Sequence, residues 1–221
     1  MSSIIAFGDS YTYGHGLEDC WERRGNEYKV GTVHSKYSWP SLLANDLGYD
    51  LKNYSHPGSS NLAILHKILN TNLDSNSVCV IMWSYPHRDM IFNKEYIPNR
   101  ALFNQKSDTN GDATHLGNWM KTGLTKIWML THNDTDLIMR TWFQIHHANL
   151  YLTSLKIPHY NLFVNYPMIK DYRPVFVKIP FRDIGVHNFL DKALDGNHPG
   201  PLTQQRIAKD IKECLFEDSV I

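Results

Sequence analysis

The chain has 221 residues, with 22 Lys+Arg against 22 Asp+Glu and therefore no formal net charge. That length predicts one domain with a full core, and the balanced charge argues against tracking nucleic-acid phosphates, which needs a basic excess on one face. No apolar run reaches the roughly 20 residues of a membrane span, and Cys20, Cys79 and Cys214 are too scattered for a disulfide framework or a paired zinc motif.

The first predicted element is a buried strand over Ile4 to Phe7, a short apolar run broken at Gly8-Asp9-Ser10. A hydroxyl at that break is well sited for chemistry, because ligands of open α/β sheets bind beyond the carboxyl ends of the strands. Ser10 suits a helix N-cap equally well. The stretch 38–48 predicts a helix capped by Ser38 and stopped by Gly48, and 49–55 alternates like a strand. A helix follows over 58–73, with Leu62, Leu65, Ile68 and Leu69 on one face, then a wholly apolar strand over 77–84. Strand alternating with helix predicts an α/β fold with a central parallel sheet.

Residues 86–133 break this rhythm with scattered glycines, prolines and polar residues, and predict an insertion carrying one short helix over one end of the sheet. The rhythm then resumes with a long helix over 134–157, whose Ile138, Trp142, Ile145 and Asn149 form a core stripe with a polar end. A strand over 158–165, an irregular stretch over 166–190 and a closing helix over 201–218 complete a single domain spanning 1–221.

Just before the closing helix stands "DGNHPGP", 195–201. Asp195 and His198, in a loop stiffened by Pro199 and Pro201, are spaced so that the carboxylate can reach Nδ1–H and leave Nε2 as a base. A serine at one strand end and an Asp-His pair are the parts of a nucleophilic triad. The plain alternatives are a helix cap for Ser10 and a loop histidine for His198. The G-x-S-x-G elbow is absent, because Thr12 occupies its second glycine position.

"FGDSYTYG" at the start, "NYSHPGSSN" (53–61) and the late "DGNHP" resemble the blocks of the SGNH (GDSL) hydrolase superfamily. The resemblance implies a three-layer, flavodoxin-like SGNH fold with the insertion after its third strand. It implies Ser10 as nucleophile, His198 as general base and Asp195 as its orienter, with the Ser10 and Gly58 amides lining an oxyanion hole. One block departs. The family's Asn after the third strand is missing from "IMWSYPHR" (81–88). Ser84 stands nearest its place as a substitute donor or as strand-end filler, with Tyr85, His87 and Arg88 as alternatives. Asn61, ordinarily a first-turn helix residue, is the next candidate. Asp9 is expected to turn its loop through backbone hydrogen bonds. This "WS…R" variant resembles a subgroup associated with tailed phages, which would place the protein in a host cytoplasm or a virion.

The expected function is serine ester hydrolysis, with a short acyl group, acetyl first, leaving a polar and carbohydrate-like alcohol. The competing expectation is a catalytically silent binding module for a glycan or small ligand, motivated by the missing Asn. A nucleotide-binding reading lacks any G-x-G-x-x-G or Walker pattern. No metal or cofactor is expected, since His146 and His147 point about 100° apart on a helix, while His87, His115 and His132 are taken as cleft-lining or solvated. The N-terminus shows no basic segment leading into a long apolar one, so the cytoplasm is the expected location, with no nucleic-acid or membrane partner.

Overall fold

A computed structural model describes residues 2–24, 27–30, 33–92, 113–116, 130–175, 177 and 183–217. Its centre is a four-stranded parallel sheet. In chain order the elements are β1 (Ser3–Phe7), α1 (Ser10–Tyr13), β2 (Trp21–Arg24), β3 (Glu27–Val30), α2 (Trp39–Leu47), β4 (Asp50–Asn53) and α3 (Asn61–Leu69). Then follow β5 (Ser77–Trp83), β6 (Asp89–Phe92), β7 (Ala113–Leu116), α4 (Asp134–Ser154), β8 (His159–Phe163) and α5 (Pro201–Glu217). The sheet order is β4-β1-β5-β8, with Ile4 beside Leu51 and Val78, and Val80 beside Tyr160.

Side chains alternate across a strand, and here the alternation sorts the core into two layers. Ile5, Phe7, Cys79, Ile81 and Trp83 face α3 and α4, meeting Ile68, Trp142 and Ile145. Ile4, Ala6, Val78, Val80 and Met82 face α2 and α5, meeting Trp39, Leu43, Ile207 and Ile211. Both faces of β1 and β5 are covered, which is why their sequences are apolar throughout. The result is the expected three-layer α/β sandwich.

Helix boundaries follow their local chemistry. Ser60 caps α3 by accepting from the Ala63 amide, and Asn133 caps α4 by accepting from Asp136. Gly48 ends α2 in the left-handed region at φ 68°, which a glycine adopts without Cβ strain. Ser38 occupies the cap position of α2, but its hydroxyl donates to the Ser35 carbonyl instead. On α3, Leu69 is exposed and only Leu65 and Ile68 of the expected stripe are buried.

Two antiparallel pairs were not expected. β2 pairs with β3, Trp21 opposite Val30, and β6 pairs with β7 inside the 86–133 segment, Asp89 opposite Leu116. Most of that segment, with the short helix expected in it, lies outside the described residues. No helix among the described residues is long and apolar enough to cross a membrane. Cys20, Cys79 and Cys214 form no disulfide with one another.

Candidate active site

The carboxyl ends of β1, β4 and β5 carry the candidate residues. After β1 the chain turns at Gly8, and Asp9, not Ser10, caps α1: the Asp9 carboxylate accepts from the Tyr11 amide at 3.0 Å. Ser10 is thus the first helical residue, which corrects the N-cap reading. It is 3% exposed. The short helix ends at Gly14, and the Gly14 and His15 amides both donate to the Ser10 carbonyl.

The segment before α5 closes on itself. Ala193 N donates to His198 O at 2.9 Å and Gly200 N to Asp191 O at 3.1 Å, so the Asp195–His198 turn is clamped at both ends. Within it, Asp195 Oδ1 accepts from the amides of Asn197 and His198, while Oδ2 lies 2.5 Å from His198 Nδ1. A carboxylate only accepts, so Nδ1 carries a proton, and in the neutral ring the lone pair then lies on Nε2. Burial alone would raise the Asp195 pKa, but the hydrogen bonds from Asn197 and His198 outweigh it and hold the carboxyl below its usual range.

This turn lies against the one that carries Ser10. The His198 ring packs edge-on to Tyr11 at 5.7 Å between centroids, and against His15 at 4.5 Å. Gln204, fully buried at the start of α5, donates to the Tyr11 carbonyl and accepts from the Trp39 amide, tying α5, α1 and α2 together. His15 is a residue the sequence reading missed. Its Nε2 lies 3.7 Å from Asp195 Oδ2. Burial drives its pKa down to about 4, with His198 adding and Asp195 opposing, so the ring is neutral at pH 7. The available signal was its setting between Gly14 and Gly16. Its donor atoms, with those of Asp195 and His198, also form a cluster of potential metal ligands that no spacing in the sequence revealed.

Gly58 sits in the loop beyond β4 at φ 84°, and that loop is pinned to the β1 turn by His56 N donating to Gly8 O. Neither the Ser10 nor the Gly58 amide donates a hydrogen bond among the described residues.

The substitute side-chain donors fare differently. Ser84 is fully buried, and its hydroxyl gives its one proton to Asp9 Oδ2 at 2.6 Å while accepting from Arg88 Nη1 at 2.8 Å. Arg88 Nη1 also reaches Asp9 Oδ2 at 2.7 Å. A hydroxyl between a carboxylate and a guanidinium has no proton left for an oxyanion, which corrects the expectation for Ser84. Asn61 is likewise engaged: Nδ2 donates to Ser84 O and Thr141 Oγ1, and Oδ1 accepts from Ser84 N. Its two amide protons are in use, so it holds the end of β5 rather than facing a substrate. Tyr85 meets Tyr11 through their hydroxyls at 3.3 Å, and burial lowers the pKa of His87.

No family model matches the sequence, and no curated protein matches it. Solved structures do match in fold. A protein assigned to the lipolytic G-D-S-L family, from Desulfitobacterium hafniense, is 12% identical at a TM-score of 0.52 over 96% of this chain and 99% of that one. An acetyl xylan esterase from Butyrivibrio proteoclasticus gives 12% identity and a TM-score of 0.52 over 98% of this chain and 64% of that one. A carbohydrate esterase, whose active site is described as having divergent catalytic and non-catalytic binding functions, gives 12% identity and 0.56 over 98% and 65%. This chain spans just under two thirds of each of those two esterases. The likeness establishes an SGNH/GDSL hydrolase fold.

Proposed function

We propose that the protein is a serine ester hydrolase that removes a short acyl group from a polar, carbohydrate-like alcohol. The observation that carries this reading is the Asp195–His198 pair, preset in its tautomer and packed against the residues flanking Ser10. In the proposed cycle Ser10 Oγ attacks the acyl carbonyl carbon while its proton passes to His198 Nε2. The Ser10 and Gly58 amides stabilise the oxyanion. Collapse breaks the ester C–O bond, and the alcohol leaves with the proton from His198. Water then attacks the acyl-enzyme with His198 again as base, returning Ser10.

Support for a polar alcohol comes from the neighbours of the pair: Tyr11 and His15 supply phenol and imidazole faces rather than aliphatic walls. The expected order of kcat/KM for p-nitrophenyl esters falls from acetate to decanoate, and a rise along that series would overturn the short-acyl preference. The deciding experiment is labelling with a fluorophosphonate, which modifies an activated serine. Wild-type protein should label once, at Ser10, and Ser10→Ala should not label.

One observation favours a second reading, a catalytically silent module that binds a glycan or small ligand. Both side chains near the missing Asn are committed elsewhere, Ser84 to Asp9 and Asn61 to Ser84 and Thr141. Loss of one oxyanion donor costs about 10²–10³ in rate in other enzymes. Folded wild-type protein that resists the probe would select this second reading.

A further inference from the structure

Three ligand atoms converge where the Asp195–His198 turn meets the segment after Ser10. His15 Nε2 is 3.7 Å from Asp195 Oδ2, and His198 Nδ1 is 2.5 Å from the same oxygen. One ligand atom from each residue lies within 4.8 Å of the others. The arrangement is held from both sides. Asp195 Oδ1 is fixed by the Asn197 and His198 amides, which turns Oδ2 toward the two rings. His15 stands between Gly14 and Gly16, at φ 80° and 85°, and Gly16 O accepts from Leu194 N. A Cβ at residue 16 would come within 2.8 Å of Asp195 Cγ, so only glycine lets this backbone approach so closely. The His15, Asp195 and His198 side chains keep 14%, 9% and 20% exposure, enough for an ion to enter from solvent.

We infer that His15, Asp195 and His198 form a binding site for a borderline-soft divalent cation, zinc first, and that the bound ion turns the active site off. Two imidazole nitrogens and a carboxylate oxygen suit zinc, copper or cobalt rather than magnesium or calcium, which prefer oxygen donors. Ligand atoms at about 2.0–2.2 Å from a tetrahedral zinc stand roughly 3.4 Å apart. The His15–Asp195 separation of 3.7 Å is therefore close to chelating already. His198 has to retreat from Asp195 by roughly 1 Å to meet the same geometry. The exchange balances: the Nδ1 proton leaves to solvent while Nε2 takes one up, so the ring stays a neutral imidazole, zinc takes the freed Nδ1 lone pair, and water fills the fourth position. Inhibition, unlike binding, rests on the esterase reading. Once Nδ1 is bound to zinc, Nε2 carries the ring proton and can no longer take one from Ser10. Such an ion is a reversible inhibitor and not a cofactor.

The test is isothermal titration of chelator-stripped, dialysed full chain with zinc chloride, run beside His15→Gln. The expected result is one micromolar site in the wild type, weakened at least tenfold in the variant. In wild-type protein the ring-nitrogen NMR signals of His15 and His198 should shift together by one equivalent. That measurement stands even if His15→Gln fails to fold. Turnover of p-nitrophenyl acetate should fall with the binding midpoint and return with EDTA. Zinc affinity unchanged in His15→Gln, or both ring signals unmoved at one equivalent, overturns the site. Metal-free protein without turnover would count against the esterase reading alone, while the calorimetric and NMR arms still decide the metal site.

Discussion

A carboxylate without solvent exposure persists only where donors surround it, and Asp9 is 0% exposed. It accepts from Tyr11 N, Ser84 Oγ and Arg88 Nη1, so the end of β1 and the end of β5 are locked through one ion pair. Removing a partner of a buried pair costs about 3–5 kcal/mol, and Arg88→Leu is expected to destabilise the protein by that amount in urea unfolding. Asp9→Asn/Arg88→Leu should lose less than the sum of its two single variants, because the lone charge is gone. Ser84→Ala leaves the pair in place and should cost about 1–3 kcal/mol, with the midpoint temperature falling by roughly 2–4 °C per kcal/mol. A Ser84→Ala protein of unchanged stability but reduced kcat would return Ser84 to the oxyanion role. At the proposed catalytic pair, Asp195→Asn is expected to slow ester hydrolysis less than His198→Ala, since the first loses orientation and the second the base. Steady-state kinetics on p-nitrophenyl acetate check that order. Asp195 and His198 were readable as a pair because three positions separate them. The Asp9–Arg88 clamp was not, because its partners are 79 positions apart and meet only once the sheet has formed.

Elements show where local pattern suffices and where it fails. The strands over Ser3–Phe7 and Ser77–Trp83 and the helices over Trp39–Leu47 and Pro201–Glu217 follow from apolar runs, helical periodicity and glycine or proline punctuation. β2 and β3 escape because "WERR" and "EYKV" contain no apolar run, and their pairing is set by tertiary context. The start of α5 adds a feature invisible to spacing: Asp191, well before the helix, accepts from Leu202 N, Thr203 N and Thr203 Oγ1. It thus caps α5 from a distance and braces the turn that holds Asp195. Partial burial would raise its pKa, but the bonds from Leu202 and Thr203 prevail and lower it. A carboxyl whose folded pKa is depressed contributes stability above its unfolded pKa of about 3.9, and loses that contribution as pH falls through the folded value. Asp191→Asn is therefore expected to be less stable than wild type by about 0.5–2 kcal/mol at neutral pH. The gap should close as urea melts are taken down into the acid range below the ordinary carboxylate pKa. A gap that stays constant down to that pH would mean the side chain acts by shape and not by charge.

At the scale of the whole molecule, one sheet separates two cores that share little besides the strands. Ile68 of α3 and Ile211 of α5 are both 0% exposed, yet they belong to opposite layers, with β1 and β5 between them. The candidate site lies in neither layer: Ser10, Gly58 and the β5 end stand beyond the strands' carboxyl termini, and His198 arrives from the loop before α5. This separation makes a quantitative claim. Deleting one buried methylene costs about 0.5–1.5 kcal/mol for Ile→Val, and Ile68→Val and Ile211→Val should each fall in that range. Sites with no shared partners usually add within about 0.3–0.5 kcal/mol, so the double variant should show the sum of the two losses in urea unfolding. Because the sheet is close-packed rather than fluid, it could transmit strain from one layer to the other. Coupling above about 1 kcal/mol would be the signature of that. If the layers are independent, all three variants should also keep wild-type kcat/KM on p-nitrophenyl acetate at temperatures where they remain folded. Loss of turnover in Ile211→Val alone would instead show that α5 carries a packing change from the core to the loop that holds His198.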